Sequence, residues 1–103
     1  MSLNNPGSTL TFIEAVGALH TPGATGSWIA LDLSGDVPTG TKYAVCWLYA
    51  GSAVYHGVRK TGSALSRQLT TTGSMVTVEL DGSRACEVYY NVASALIVQG
   101  YWV

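Results

Sequence analysis

The sequence predicts an all-β domain, an antiparallel β-sandwich of jelly-roll or immunoglobulin-like type with about seven to eight short strands. Three observations carry that expectation. Turn residues punctuate the chain at regular intervals, with 12 glycines among 103 residues. The runs between them are rich in Thr, Val, Tyr and Trp, which suit the pleated, half-buried surface of a sheet. One of these runs, residues 41–50, is apolar on both faces.

A chain of 103 residues makes one domain and one modest core. Residues 1–8 are polar and contain Asn4-Asn5-Pro6-Gly7, so they are expected to form a flexible arm, either frayed or ordered on a neighbouring subunit. Residues 9–103 form the sandwich. Residues 10–19 are the one place where helix competes with strand. Leu10, Ile13 and Val16 follow helical spacing, while Thr9, Thr11, Phe12 and Ile13 favour a strand, and strand fits everything after it.

The remaining elements follow from punctuation. A Pro/Gly loop at 21–26 precedes a strand at 27–33, with Ile29, Leu31 and Leu33 on one face and Trp28, Ala30 and Asp32 on the other. A turn at 35–40, containing Pro38 and Gly40, leads into residues 41–50. There Tyr43, Val45, Trp47 and Tyr49 share one face, and Ala44, Cys46 and Leu48 the other. A half-exposed antiparallel strand alternates apolar with polar. This strand is therefore central, with its second face covered by another layer or subunit. Turns at 51–52 and 61–63 bracket a strand at 54–60, and residues 66–72 are a Thr-rich strand or loop. Residues 75–80 alternate, and Asp81-Gly82 predicts a tight hairpin with 84–90 pairing back across it. After a turn at 91–94, residues 96–103 are the last strand. Their terminal Tyr101-Trp102-Val103 is too apolar to hang free, so this end is expected to be locked into the sheet.

Composition narrows function. Hydrophobic residues make up 48% of the chain and charged residues only 11%, against about 25% in an average domain. So few charges leave apolar surface to be covered, most simply by copies of the chain itself. A net charge of -1 lacks the basic footprint of nucleic-acid binding. Arg59, Lys60 and Arg67 form only a local basic cluster, read as a solvated edge. No apolar run approaches the roughly 18 residues of a membrane helix. Residues 1–9 are too polar for a signal peptide. Cys46 and Cys86 sit in separate strand-like segments, as buried reduced thiols or as one cross-strand or inter-sheet disulfide.

Chemistry-bearing patterns are weak. His20 and His56 have no partner at metal-ligand spacing, so no metal or cofactor is expected. The Gly-x-Ser-x-Gly elbow of a hydrolase is absent. Of the six acids, Asp36 and Asp81 sit in turns, while Glu79 and Glu87 flank the expected hairpin as partners for Arg84 or other basic groups. The chain is accordingly read as no enzyme. The aromatics offer two readings. Tyr43, Trp47, Tyr49 and Trp102 are placed at core or subunit contacts. Tyr55 and Tyr90, flanked by polar residues, are placed at the surface with His56 and Arg59, where they are the candidate set for a surface glycan.

Three segments carry a resemblance. They are Leu31-Asp32-Leu33-Ser34 followed by Val37-Pro38-Thr39-Gly40-Thr41, then Tyr55-His56-Gly57-Val58-Arg59-Lys60-Thr61-Gly62-Ser63, and finally Leu96-Ile97-Val98-Gln99-Gly100-Tyr101-Trp102. Together they resemble a small β-sandwich domain that recurs in structural proteins of tailed bacteriophages and related virus particles. The match covers residues 28–102. It consists of turn and strand-end patterns, so it implies no active site. It implies a virion structural protein, a head decoration, tail or fibre component, that is assembled in the host cytoplasm and acts by self-association with its own copies and other virion proteins. A free-standing domain of this kind departs from the family's usual place within long fibres. The competing expectation is a lectin-like, extracellular β-sandwich.

Overall fold

A computed structural model of the chain describes residues 10–50, 56–63, 68–69, 73–90 and 94–103. The described residues form eight strands in two antiparallel four-stranded sheets packed as a sandwich. The strands are β1 (Phe12–His20), β2 (Ile29–Asp32), β3 (Tyr43–Ala50), β4 (His56–Lys60), β5 (Gln68–Leu69), β6 (Gly73–Glu79), β7 (Ala85–Tyr90) and β8 (Ser94–Trp102). The first sheet has the order β1-β8-β3-β6 and the second β2-β7-β4-β5. Residues 1–8 and the turns at 51–52 and 91–93 lie outside the described residues.

β3 is central, as its double-faced pattern requires, and lies between β8 and β6. Ala44, Cys46, Leu48 and Ala50 point inward and are fully buried. Opposite them across the sandwich stand Cys86, Val88 and Tyr90 of β7 and Val58 of β4. Val78 of β6 and Leu96 and Val98 of β8 complete the first sheet's share of the core. Strand wins over helix in residues 10–19 because the stretch zips onto β8, from Phe12↔Trp102 to His20↔Leu96. The register on β8 shifts between Glu14 and Ala18. Gly17 sits in that shift at φ +79°, a conformation glycine adopts freely. The apolar C-terminus is held as its composition requires, with Thr11 and Val103 exchanging backbone hydrogen bonds of 2.9 and 3.0 Å.

The turn at Asp81-Gly82 is a correction. It makes no hairpin: β6 pairs with β3, whereas β7 pairs with β2 and β4 in the other sheet. The chain crosses from sheet to sheet through a closed corner. Asp81 donates its amide to Ala85 O and accepts the amide of Arg84 on its carbonyl. Its carboxylate accepts the amides of Ser83 and Ala85 at 2.8 and 3.0 Å, which holds that carboxyl below its ordinary pKa. Arg84 takes φ +61°, rare for a side chain of its size. Its guanidinium donates to the carbonyls of Ser34 and Val37 at 3.1 and 2.9 Å, which secures the corner against the β2–β3 connection. Arg84 is therefore not the partner of Glu79 or Glu87. Those acids pair with β4, through Lys60 at 2.7 Å and Arg59 at 2.8 Å.

Candidate functional site

Each sheet has an inner face toward the core and an outer face away from it, and the two outer faces differ in chemistry. On the first sheet the outward positions follow from alternation along β3 and from cross-strand register. Tyr43 stands beside Trp102, and Trp102 beside Phe12. Trp47 stands between Ile97 and Met75, and Leu19 extends that row onto β1. Tyr49 lies between Ala95 and Gly73. The result is a largely apolar surface across four strands, with Glu14, Thr77 and Glu79 on its two edge strands.

Two glycines flatten it. The Trp47 ring lies over Gly73, where an added Cβ would meet the ring at 2.6 Å. The Phe12 ring lies over Gly100 and tilts against Trp102 with ring centroids 5.1 Å apart. Missing side chains at these two places let aromatic rings lie down on the sheet. The surface is open to solvent: Phe12 is 41% exposed, Tyr49 49%, Met75 53% and Leu19 61%. Large exposed apolar patches are a general feature of interaction surfaces.

The outer face of the second sheet is polar and its groups engage one another. The Arg59 guanidinium lies 4.3 Å from the centre of the Trp28 ring, and its Nε donates to Glu87 Oε1 at 2.8 Å. Glu87 also accepts the Gly62 amide at 3.4 Å. Tyr89 packs against Trp28 with ring centroids 5.8 Å apart. Asp32 accepts the Ser34 amide at 2.8 Å, which holds its carboxyl below the ordinary value. At one edge of the sandwich a depression of about 360 Å³ lies between β4 and β6 and includes the Lys60–Glu79 ion pair.

The expected interface residues Tyr43, Trp47, Tyr49 and Trp102 therefore come together, all on the first outer face and none in the core between the sheets. The expected glycan set does not. Tyr55 and Arg67 lie outside the described residues. His56 and Tyr90 are fully buried, which corrects the expectation that they are exposed. Parity explains it: the two are direct cross-strand partners, two positions from the inward Val58 and Val88. Their rings stack in the core at an interplanar angle of 4°. Arg59 alone of the described members reaches the outer surface, and its charge is met by Glu87.

Cys46 and Cys86 are free and buried, on opposite sheets, and burial pushes both thiols up to about 12. His20 Nε2 lies 2.5 Å from Asp36 Oδ2 and ties the end of β1 to the β2–β3 connection. Among the described residues, no group of three His, Cys, Asp or Glu side chains is placed to hold a metal ion. Sequence reasoning missed Phe12, Leu19, Ile97 and Met75 as members of the apolar face. The signal for them is odd-even parity, which the alternation of residues 75–80 carries for Met75 and which for Phe12, Leu19 and Ile97 is legible only once the shifts in β1 and β8 are known. A search of family models, curated proteins and solved structures finds no match to this chain.

Proposed function

We propose that this chain is a structural subunit of a virus particle, a head decoration, tail or fibre component, that works by binding copies of itself and other particle proteins. The observation that carries the reading is the apolar outer face of the first sheet, a four-strand surface presenting Phe12, Leu19, Tyr49 and Met75 to solvent. Leaving that face wet is costly, and a second copy removes the cost. The strand order supports the setting. β1-β8-β3-β6 facing β2-β7-β4-β5 is the order we read as a jelly roll, a fold used in viral capsids and in lectins. Fold alone does not choose between those two uses. The choice rests on the faces: aromatic on the first, with its two acids, Glu14 and Glu79, confined to the edge strands among the described residues, and ion-paired on the second, where a sugar platform requires a free ring. The resemblance of residues 28–102 to virion β-sandwich domains agrees with that choice.

Sedimentation velocity of Tyr49→Arg tests the reading. Tyr49 is half-exposed and outside the core, so the variant is expected to fold and to shift the chain toward monomer. A sedimentation profile unchanged from the parent would count against this face as the contact.

A further inference from the structure

The two edges of the first sheet are unlike. β1 is blunted for pairing: its register on β8 shifts between Glu14 and Ala18, and Gly17 turns to φ +79° there. A bulge with an acidic residue beside it is a common way to stop an edge recruiting another strand. β6 carries neither device. It runs in register with β3 for seven residues, from Tyr43↔Glu79 to Tyr49↔Gly73, without a shift. It contains no proline and no basic residue, and its one charge, Glu79, lies at the end and is paired with Lys60.

Backbone direction along β6 follows from one bond. The amide of Leu80, just beyond the strand, donates to Lys42 O at 2.7 Å. Antiparallel pairs alternate between bonded and non-bonded. Ser74, Val76 and Val78 therefore bond to β3, and the amides and carbonyls of Met75 and Thr77 point the other way, toward the side where the sheet order ends among the described residues and where Lys60 and Ser63 flank the Thr77–Glu79 end.

We propose that β6 pairs antiparallel with β6 of a second copy, fusing two first sheets into one eight-stranded sheet. The inference rests on the self-association reading above and names its first step. Parity fixes the symmetry: the two-fold axis passes through a residue, not between residues, so that both apolar faces lie on one side. Area favours this occupant. One four-stranded outer face projects to about 500 Å², at about 4.8 Å between strands and about 3.3 Å per residue. A stable interface takes about 800 Å² from each partner. The fused pair presents about twice the projected area of a single face, with Met75 of each copy near the seam. The edge pair is then the unit that presents a sufficient surface to the rest of an assembly.

Two measurements on the full chain decide it. Thr77→Pro removes an outward amide and spares the bonds to β3, since an edge strand accepts proline where its N–H faces away from the sheet. Circular dichroism checks its fold, and sedimentation equilibrium is expected to show self-association weaker by about tenfold or more. In the parent chain, hydrogen exchange at the Met75 and Thr77 amides is expected to be fast in dilute solution and slow in the assembled state. Exchange is read on the unaltered protein, so it decides even if the proline variant does not fold. A folded Thr77→Pro that associates like the parent, or equally fast exchange at 75 and 77 in both states, overturns the edge pairing. If Tyr49→Arg still dissociates the chain in that case, the face reading stands alone. A parent chain that is monomeric at every concentration defeats both.

Discussion

The outer faces of the two sheets start from the same strand chemistry and end as opposites. Both carry aromatics at outward positions: Phe12, Tyr43, Trp47, Tyr49 and Trp102 on the first, Trp28 and Tyr89 on the second. On the second face a guanidinium covers Trp28 and a carboxylate meets the guanidinium. Trp28, Tyr89, Arg59 and Glu87 there each have a partner within the chain. On the first face Phe12 meets Trp102, and the Phe12 and Trp47 rings lie over glycines. Aromatic content alone therefore does not separate the two faces; what separates them is how far the chain's own charges engage the rings.

The comparison can be broken at several depths. The largest effects lie beneath both faces. Leu48 is fully buried at the centre of β3, and Leu48→Ala is expected to cost about 2–5 kcal/mol of stability in denaturant unfolding. Its neighbour Tyr49 points outward, and Tyr49→Ala is expected to stay within about 0.5 kcal/mol while weakening association. Equal losses of stability at the two positions would mean that the outer face belongs to the fold.

The shared core also sets an alkaline limit. Burial raises the thiols of Cys46 and Cys86 from 9.0 to about 12, and it raises the Tyr90 phenol from its ordinary value as well. A raised folded-state pKa gives stability that is complete below the unfolded value and is lost as pH climbs through the folded one. The unfolding midpoint is thus expected to hold to about pH 9 and fall between about pH 9 and 12. A flat profile over that window would place the thiols in water.

Next comes the seam of the first face. An Ala side chain at Gly100 would strike the Phe12 ring and lie 2.8 Å from the Ile13 carbonyl oxygen. Gly100→Ala is expected to cost about 1–3 kcal/mol, since the backbone of β1 has to give. Nothing lies within 4 Å of a Cβ at Gly35, so Gly35→Ala serves as the silent control. The smallest effect is expected on the second face. Glu87→Gln discharges the partly exposed pair with Arg59 and is expected to cost less than about 1 kcal/mol, with association unchanged. A larger loss of association than Tyr49→Arg produces would reverse the assignment of the two faces.

The sandwich was legible because its signals are local. Alternation placed Ala44, Cys46 and Leu48 on one face of β3 and the aromatics on the other, and turn residues set most strand limits. What stayed hidden depends on partners distant in sequence. Asp81-Gly82 has the composition of a hairpin, yet its Asp caps a corner, because β6 and β7 each find better partners elsewhere. Polar neighbours made His56 and Tyr90 look exposed, but cross-strand pairing turns both inward. The full extent of the apolar face was invisible because the shift between Glu14 and Ala18, and the extra Gln99 where Val45↔Gly100 is followed by Cys46↔Val98, reset which residues share a side.

The central claim is that the first outer face exists to be covered by copies of the chain. Sedimentation equilibrium of the unaltered protein over a wide concentration range tests it most directly. The account predicts masses at multiples of 10.8 kDa that grow with concentration. A single 10.8 kDa species at every concentration would contradict it.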